Sequence, residues 1–578
     1  MRASRYLPDA VVEMFGNIGS FFSVFDTPFL FLACSIRMKD MKSLIQEALR
    51  DAVQMLAPEE EVSFEVIVPK DGSHGDYMSS VALSLAGRLR RPPIDIARFL
   101  EKELSGDDRL KRFAIEVAMP GYVNFSFTSE ALSDVVAEIG EKKSEYGSGV
   151  INERRKTLLE FISANPTGPL HMGNARGGFF GDALFRVLKK CGGNVSTEYY
   201  VNDAGGQVVK LGHSVLKDAE AVYGGEYIDH LNGRLASQKE SVNVSDPRDV
   251  GEWAGRIVLE EYIQKTVSDR MGISFDAFVS ERKDIVEAGY IDRAVDLFRG
   301  KGLVYEEAGA LWLRTTQYGD DKDRVLVKAN GERTYFASDC GYLFYKKDRG
   351  FERIVEVWGA DHHGYVARFR AAAEALGFSA DQVVFTLVQL VRLVKDGQDV
   401  RMSKRAGNVV TVDELLDRID VEVIRFFFLM YSPDTHMNFD MGLAEERSQK
   451  NPVFYVQYAH ARMASIFRKA EEVIGVRPFE RKSKDEIRIR APKEMLLARH
   501  LARFPELLQT SAETSTVHQL PQYAIRLADL FHSFYDECVV LDVENMPATY
   551  SRLALVGATK IVLAETLRLL GVSAPEKM

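Results

Sequence analysis

The stretch TLLEFISANPTGPLHMGN, residues 157–174, decides the fold predicted for the middle of the chain. Residues 158–162 are apolar around one glutamate, which indicates a short buried strand, and the prolines and glycines of 166–173 indicate a loop. The apolar spacing over 175–191 predicts a long helix, and 195–201 predicts a second strand. Strand, glycine-bearing loop, helix and strand form a βαβ unit, so we predict an α/β fold with a Rossmann-type parallel sheet.

The patterns on either side of this unit indicate further domains. We predict an N-terminal extension, a small N-terminal α/β module, a domain containing the parallel sheet, and a C-terminal all-α helical bundle, at residues 1–40, 41–130, 131–450 and 451–578. The extension contains an apolar stretch that is interrupted by an aspartate and a proline. We therefore interpret it as unstructured chain or as sequence ahead of a later start, rather than as a secretory signal.

Local patterns also give finer expectations. Residues 62–68 are strand-like, and 205–300 are predicted to be helical and polar. Residues 383–394 are strongly β-prone and end at a hairpin turn over 395–398. Nearly everything after Val421 is predicted to be helical.

Composition excludes several classes of protein. The chain has 578 residues, 46% hydrophobic and 27% charged, with a net charge of −10, which is typical of a folded globular protein. Its four cysteines lie far apart without a CxxC pair, so we expect a reducing cytoplasm and neither a disulfide framework nor a zinc site. No apolar run reaches the roughly 18 residues of a membrane span. The acidic total still allows a nucleic-acid partner, because binding depends on a local basic face.

Two short motifs carry the chemistry. The first, His171-Met172-Gly173-Asn174, lies between the buried strand and the helix start, where free backbone N–H groups favour phosphates. A histidine there can donate a hydrogen bond to a phosphate oxygen, although an ordinary βα loop with a surface histidine would show the same pattern. The second, Arg-Met-Ser-Lys-Arg at 401–405, places three cations after a turn. They suit a triphosphate, and a solvated basic turn is the alternative.

Together the two motifs resemble the two signatures of class I aminoacyl-tRNA synthetases. Asn174 stands where that class usually has histidine and Arg401 where it usually has lysine, and these residues keep a hydrogen-bond donor and the positive charge. The resemblance implies that His171, Asn174, Arg401 and Lys404 are catalytic. It also implies an ATP site, with Mg²⁺ bound to the ATP, formed by His171, Met172, Gly173, Asn174, Gly359, Asp361, His362, Met402, Ser403 and Lys404.

Longer strings resemble one family within that class. From about residue 41 to the end, the stretches 164–171, 198–205, 334–339, 357–365 and 451–460 are similar to arginyl-tRNA synthetases. The resemblance implies an arginine site formed by Glu160, Ser163, Asn165, Tyr335, Asp339 and His363. Carboxylates are natural acceptors for the planar guanidinium fork. Taken alone, Glu160 could equally be a strand-end charge and Asp339 a helix cap.

The resemblance also implies tRNA contacts at both ends of the chain. In the family the C-terminal helices meet the anticodon, and the small N-terminal module meets the corner of the tRNA. We expect Tyr455, Tyr458 and Arg462 to bind tRNA, because cations position phosphates and aromatic rings stack unpaired bases, although these rings could instead belong to the core. Adjacent His362 and His363 are not expected to bind metal, since neighbours in sequence rarely face one ion.

The sequence therefore predicts a class I arginine–tRNA ligase. It would activate L-arginine with ATP to arginyl-adenylate and transfer it to the 3′ end of tRNA(Arg), as a cytoplasmic monomer. The alternatives are a catalytically silent, synthetase-like tRNA-binding protein, a small-cofactor adenylyltransferase, and a synthetase for another amino acid. The long helical tail opposes the adenylyltransferase, and the acidic residues Glu160 and Asp339 oppose a different amino acid.

Overall fold

The computed structural model describes residues 41–60, 62–69, 71–151, 155–237, 241–395, 397–399, 410–475 and 486–578. The first part of the chain folds as a four-stranded antiparallel sheet with strand order β1-β2-β4-β3 and helices beside it. Its elements are α1 (Met41–Leu56), β1 (Val66–Ile67), β2 (Tyr77–Ser79), α2 (Val81–Leu89), α3 (Pro93–Ser105), β3 (Phe113–Ala118), β4 (Tyr122–Phe127) and α4 (Ser129–Lys142).

The middle of the chain begins with the predicted βαβ unit and continues through helices to a third parallel strand. These elements are β5 (Thr157–Glu160), α5 (Met172–Lys190), β6 (Val195–Val201), α6 (Gly206–Leu216), α7 (Glu226–Leu235), α8 (Pro247–Ile257) and β7 (Ala277–Ser280). A π-helical turn over Glu281–Glu287 follows β7 directly. The chain then forms α9 (Tyr290–Gly300) and a three-stranded antiparallel sheet of β8 (Val304–Glu307), β9 (Ala310–Leu313) and β10 (Arg324–Val327).

The second half of the parallel sheet follows, with a small mixed sheet beyond it. Its elements are α10 (Tyr335–Asp348), β11 (Arg353–Gly359), α11 (Val366–Leu376), β12 (Val383–Val388), β13 (Val391–Lys395), β14 (Gln398–Asp399), α12 (Val412–Leu416), α13 (Val421–Leu429), β15 (Met437–Asp440) and α14 (Met441–Glu445). The small sheet has the order β14-β13-β15. The C-terminal part is helical: α15 (Pro452–Ile474), α16 (Pro492–Ala502), α17 (Phe504–Thr514), α18 (Gln519–Glu537) and α19 (Met546–Leu570).

The order of the parallel sheet locates the functional edge. Its five strands lie in the order β12-β11-β5-β6-β7, and every neighbouring pair is parallel. From β5 the chain builds outward through β6 and β7, then returns to the other side of β5 with β11 and β12. The strand order therefore reverses between β5 and β11, and ligands of such sheets bind outside the carboxyl ends of the strands at this reversal. Glu160 and Gly359 end those two strands.

The predicted fold class is confirmed: a Rossmann-type parallel sheet, a small N-terminal α/β module and a C-terminal all-α bundle. The hairpin at 395–398 is also present, with β13 and β14 antiparallel and Gly397 at a φ of 75°. The four predicted domain boundaries remain predictions. The predicted N-terminal extension, 1–40, lies outside the described residues. Within the described part of the chain, no helix is long and apolar enough to cross a membrane.

Four finer expectations were wrong in detail. The strand-like stretch 62–68 forms only β1, and the β-prone stretch 383–394 divides into β12 and β13, which belong to different sheets. The helical prediction for 205–300 missed β7, and the prediction for the chain after Val421 missed β15. Both missed strands have four residues and are fixed by partners far away in sequence, β6 and β13. A local sequence pattern does not show which distant segments will pair as strands.

Candidate active site

The chain turns sharply where β5 ends. Ile162 and Ser163 have φ values of 68° and 40°, in the left-handed region that residues with side chains rarely adopt. The sequence predicted that the strand would extend to Ile162, but this turn ends it at Glu160. Ser163 Oγ donates to Glu160 Oε1 (2.9 Å) and accepts from the Tyr200 backbone N–H (3.0 Å), so the strained turn is fastened to both β5 and β6.

His171 and Asn174 cap the start of α5. His171 Nδ1 accepts from the Gly173 N–H (3.1 Å), and Asn174 Oδ1 accepts from the His171 N–H (3.0 Å). This reciprocal cap starts the helix at Met172, three residues earlier than the sequence predicted. Because Nδ1 accepts, a neutral His171 carries its proton on Nε2, which can donate to a phosphate. Desolvation lowers the pKa of His171, and the nearby Asp361 carboxylate opposes this shift.

The loop after β11 meets the loop after β5. Asp361, His362 and His363 lie exposed on a 3₁₀ turn over Ala360–Tyr365, and Asp361 is close enough to His171 to influence its pKa. The Asp361 carboxylate folds back against the backbone of Gly359, where an added Cβ would displace this exposed side chain. Among the described residues, no group of three or more His, Cys, Asp or Glu side chains is arranged to hold a metal ion.

The second predicted phosphate motif is flanked by described residues. Arg401, Met402, Ser403, Lys404 and Arg405 themselves lie outside the described residues. On the carboxyl side of the motif, Thr411 forms an isolated antiparallel bridge with His171. The Val412 N–H donates to the Leu170 carbonyl (2.8 Å). Thr411, six residues after Arg405, therefore lies beside the first motif, although His171 and Thr411 are 240 positions apart in sequence.

Four acidic side chains cluster beside these loops, around the ring of Tyr200, and this cluster is called the acidic pocket below. The pKa of Tyr200 is raised well above 10 by burial and then by four carboxylates, those of Glu281, Asp339, Glu160 and Asp203. The predicted residues Glu160 and Asp339, which are 179 positions apart in sequence, are thus brought to one ring. The Tyr200 ring also stacks on Tyr342, with centroids 4.1 Å apart.

Glu281 is a member of this pocket that sequence reasoning missed. It is buried at the start of the π-helical turn, and the side chains of Ser338 and Tyr200 lie close enough to lower its pKa. With its amide turned so that the NH2 group faces the carboxylate, Asn202 donates to Glu281 Oε2 (2.8 Å). Asp203 accepts from Ser280 Oγ (2.6 Å) and from the backbone N–H that follows Glu281 (3.0 Å), which fixes the backbone on both sides of the carboxylate. Its stretch was predicted to be polar helix, so no local signal distinguished this glutamate from its exposed neighbours.

Two of these carboxyl groups, the buried Glu281 and the partly exposed Asp339, have pKa values well above their usual range. Burial raises the pKa of Glu281 to about 7, and nearby Asp203 adds to the shift. Burial also raises the pKa of Asp339 to about 7, although a hydrogen bond from Tyr365 opposes the shift. Neither residue has a salt-bridge partner in the described part of the chain. Such a pair favours a cationic ligand, because a positive group would stabilise the ionised form of both.

The remaining predicted residues lie around the pocket at different depths. The Tyr335 side chain is exposed and lies over Gly205, where an added Cβ would be 3.4 Å from the ring. That contact would be an ordinary one, but Gly205 has a φ of 81°, a backbone conformation that favours glycine. Asn165 is exposed, on a loop that Tyr199 fastens through the Ala164 carbonyl (2.9 Å).

The predicted tRNA-binding residues of α15 face α18. Tyr455 OH donates to Asp529 Oδ1 (2.7 Å), and the rings of Tyr455 and Tyr458 lie 5.5 and 6.2 Å from the His532 ring. The Arg462 guanidinium lies over the Tyr535 ring at 4.4 Å. All of these side chains are partly exposed. The result is an aromatic surface with one cation, suited to stacking unpaired bases, and His532 is a member that the sequence did not identify.

Comparisons with known proteins identify the family to which the chain is similar. Three family models match: the arginyl tRNA synthetase N terminal domain over 39–127, the catalytic domain of class I (R) tRNA synthetases over 246–422, and the DALR anticodon binding domain over 456–578. The arginine–tRNA ligase of Carboxydothermus hydrogenoformans is 40% identical over 538 residues, which cover 90% of this chain and 96% of that protein. The arginine–tRNA ligase of Bacillus subtilis is 39% identical over 565 residues, covering 93% and 99%.

A solved structure gives the same result for the three-dimensional fold. The arginyl-tRNA synthetase of Thermus thermophilus superposes with a TM-score of 0.71 at 25% identity, over 93% of this chain and all of that one.

Proposed function

Because this chain belongs to the arginyl-tRNA synthetase family, we propose that it attaches L-arginine to the 3′ end of tRNA(Arg) at the expense of ATP. It is a class I aminoacyl-tRNA synthetase and an arginine–tRNA ligase. No observation favours the alternative of a catalytically silent relative. The roles of individual residues are inferred from the geometry of the pocket and its loops.

The observation that carries the substrate assignment is a pair of carboxyl groups, the buried Glu281 and the partly exposed Asp339, without a salt-bridge partner among the described residues. Glu281 and Asp339 would accept hydrogen bonds from the guanidinium of arginine, with Glu160 also near Tyr200. A neutral or smaller side chain would leave these acceptors desolvated and unpaired, at a cost of about 1–3 kcal/mol for each. Ser163, Asn165, Tyr335 and His363 are proposed to contact the rest of the amino acid.

ATP is proposed to bind at the strand-order reversal between β5 and β11. Gly359, Asp361 and His362 would meet the nucleoside, and the N-terminus of α5 would meet the phosphates. His171 would donate from Nε2 to a phosphate oxygen as negative charge develops, and Lys404 and Arg401 would stabilise the leaving pyrophosphate. Mg²⁺ would arrive bound to the triphosphate, because the described residues form no ligand cluster for it.

The reaction then needs positioning more than covalent work by side chains. The arginine carboxylate attacks the α-phosphorus, so that the bond to the bridging oxygen breaks and pyrophosphate leaves. A ribose hydroxyl at the 3′ end of the tRNA next attacks the carbonyl carbon, loses its proton and releases AMP. Both steps gain chiefly from holding the reactants in line and from stabilising charge.

The tRNA is proposed to contact both ends of the chain. The aromatic surface of Tyr455, Tyr458, Arg462 and His532 would stack the unpaired anticodon bases, and the N-terminal module would bind the corner of the tRNA. We further propose that the enzyme acts as a monomer in the cytoplasm, where translation takes place.

Ligand-dependent thermal stability tests the arginine site. The protein would be heated with ATP and Mg²⁺ together with arginine, citrulline or lysine, where citrulline has nearly the shape of arginine but no charge. Of the three amino acids, we expect only arginine to raise the Tm of the protein, because a ligand that binds the folded state stabilises that state by mass action. Equal stabilisation by arginine and citrulline would contradict the role of the two carboxyl groups.

A further inference from the structure

Three glutamates form a row across the centre of the parallel sheet. Glu160, Glu198 and Glu356 are each the fourth residue of their strands, β5, β6 and β11. The strand register pairs Glu160 with Glu198 on one side and with Glu356 on the other. Paired residues of neighbouring strands point to the same face, about 4.8 Å apart. All three glutamates are 5% exposed or less. The fold thus holds three carboxyl groups side by side, away from water.

Helix α10 covers this row with two polar side chains. Lys346, which is fully buried, places Nζ 2.6 Å from Glu160 Oε2 and 2.6 Å from Glu356 Oε1. The same ammonium lies 4.0 Å from the centroid of the Tyr342 ring. Tyr342 OH lies 2.7 Å from Glu160 Oε2 and 2.7 Å from Glu198 Oε1, so its one proton can serve either carboxyl group.

The charges of the row balance only when one carboxyl group is protonated. Arg349 pairs with Glu198 at 2.5 Å, so this cluster supplies two cations for three acids. Burial, and then the charge of Glu160, raise the pKa of Glu356 well above its usual range. Burial alone would lower the pKa of Lys346, but the carboxylates around it raise it. The proton is therefore assigned to Glu356, and the Lys346 ammonium then pairs with the carboxylate of Glu160.

Glu160 is held differently at its two oxygens. Oε2 accepts from Lys346 and Tyr342, inside the closed row. Oε1 accepts from Ser163, whose hydroxyl is fastened to the backbone of Tyr200 beside the acidic pocket. The row therefore fixes one oxygen, and Ser163 on the turn after β5 holds the other.

We propose that Lys346 is a positioning residue for arginine, which it helps to bind only through Glu160. This inference rests on the proposed function, in which Glu160 takes part in the arginine site. Lys346 places a positive charge beside the Glu160 carboxyl group and fixes its side-chain torsions, and Tyr342 supports the same oxygen. A role restricted to anchoring α10 on the sheet would affect stability but not the affinity for arginine.

The test compares two cations of the same row. Lys346→Met removes the charge at Glu160, and Arg349→Met is the matched control because Arg349 pairs with Glu198 and not with Glu160. The KM values for arginine and ATP and the kcat of tRNA charging would be measured from pH 6 to 9, with Tm as the readout of stability. We expect Lys346→Met to raise the KM for arginine about tenfold with little change in the KM for ATP. The rise in KM at low pH should also begin at a higher pH than in the parent.

Arg349→Met should lower the Tm but leave the KM for arginine at the parent value throughout. A folded Lys346→Met with the parent's KM for arginine at every pH would overturn the proposal, and so would an equal rise in Arg349→Met. If Lys346→Met does not fold, Tyr342→Phe decides, because it keeps the ring and removes one hydrogen bond to Glu160. It should raise the KM for arginine a few-fold, and an unchanged KM would overturn the proposal.

Different results would refute the proposed function and the role of Lys346. A parent protein that folds but does not charge tRNA with arginine refutes the proposed function, and the role of Lys346 with it. An active parent whose arginine KM is unaffected by both Lys346→Met and Tyr342→Phe refutes the role of Lys346 alone.

Discussion

At the scale of single residues, Glu281 is the sharpest test of the arginine site. Glu281→Gln keeps the shape of a group whose pKa is about 7 and one of its two acceptor oxygens, and it removes the charge that would meet the guanidinium. We expect the KM for arginine to rise about tenfold to a hundredfold, since a charged hydrogen-bond pair is lost. The KM for ATP should stay within a factor of about two.

A control variant lies on the same π-helical turn. Glu287 is exposed and pairs with Arg282 at 3.4 Å, so Glu287→Gln should charge tRNA like the parent. The steady-state kinetics of tRNA charging by both variants show whether Glu281 contributes to arginine binding. A parent-like arginine KM in Glu281→Gln would remove Glu281 from the site.

The same carboxyl groups predict a dependence on pH. Glu281 and Asp339 have pKa values of about 7 in the free pocket, so both bind protons as the pH falls below 7. Arginine stays positively charged and needs the ionised carboxylates. The KM for arginine should therefore be constant above pH 8 and rise by up to about tenfold per pH unit, for each carboxyl group, below pH 7. A KM for arginine that does not vary between pH 5.5 and 8.5 would contradict this.

At the scale of elements, the cap of α5 connects helix stability to catalysis. Asn174→Ala removes one half of the reciprocal cap and frees the loop that carries His171. We expect a loss of about 1 kcal/mol in stability and a fall in kcat larger than that loss explains. Asn545→Ala is the control, because Asn545 caps α19 through the Ala548 N–H and lies in the C-terminal bundle. Tm and kcat would be measured for both, and an equal kcat in the two variants would refute the link.

The glutamate row predicts how stability varies with pH. The pKa of Glu356 in the folded protein is raised above its unfolded value, so its contribution to stability falls as pH rises through the folded pKa. Glu356→Gln cannot lose a proton. The Tm of this variant relative to the parent should therefore increase between pH 6 and pH 9, by the equivalent of about 1 kcal/mol or more. A Tm difference that stays constant with pH would place the proton elsewhere.

The elements also show which features the sequence predicts well. The strand–loop–helix signature around residues 157–191 is local, and it was placed correctly to within three residues. The sequence did not predict the bridge between His171 and Thr411, although the resemblance already indicated that the two motifs serve one site. Glu281, Lys346 and His532 were missed because their roles depend on contacts across 50 to 190 positions, for which a single sequence gives no pattern. One signal was present, since each of the three neighbouring strands β5, β6 and β11 contains one glutamate.

At the scale of the whole molecule, the N-terminal module is fastened to the C-terminal helices. Tyr77, which is fully buried in β2, donates to Glu506 Oε2 (2.8 Å). The buried Asp76 carboxylate lies 3.4 Å from Arg499 Nε and 3.7 Å from Arg503 Nη2. These contacts would hold two tRNA-binding surfaces at a fixed separation, so that one tRNA engages both.

Tyr77→Phe tests this fixed separation. We expect a loss of about 1 kcal/mol in stability and a several-fold rise in the KM for tRNA, with unchanged KM values for arginine and ATP. The matched control is Tyr290→Phe, since Tyr290 OH donates to Asp348 at 2.9 Å on the sheet domain. The kinetics of tRNA charging would be measured for both variants at varied tRNA concentration. A parent-like KM for tRNA in Tyr77→Phe would show that the contact is only structural.

The most direct test of the central claim is the charging of total tRNA with labelled amino acids, in the presence of ATP and Mg²⁺. Arginine, lysine and glutamine would be compared at equal concentration. Incorporation of arginine alone, dependent on ATP, is the predicted result. Incorporation of lysine or glutamine, or of no amino acid by folded protein that still binds tRNA, would contradict an arginine–tRNA ligase built around a buried acidic pocket.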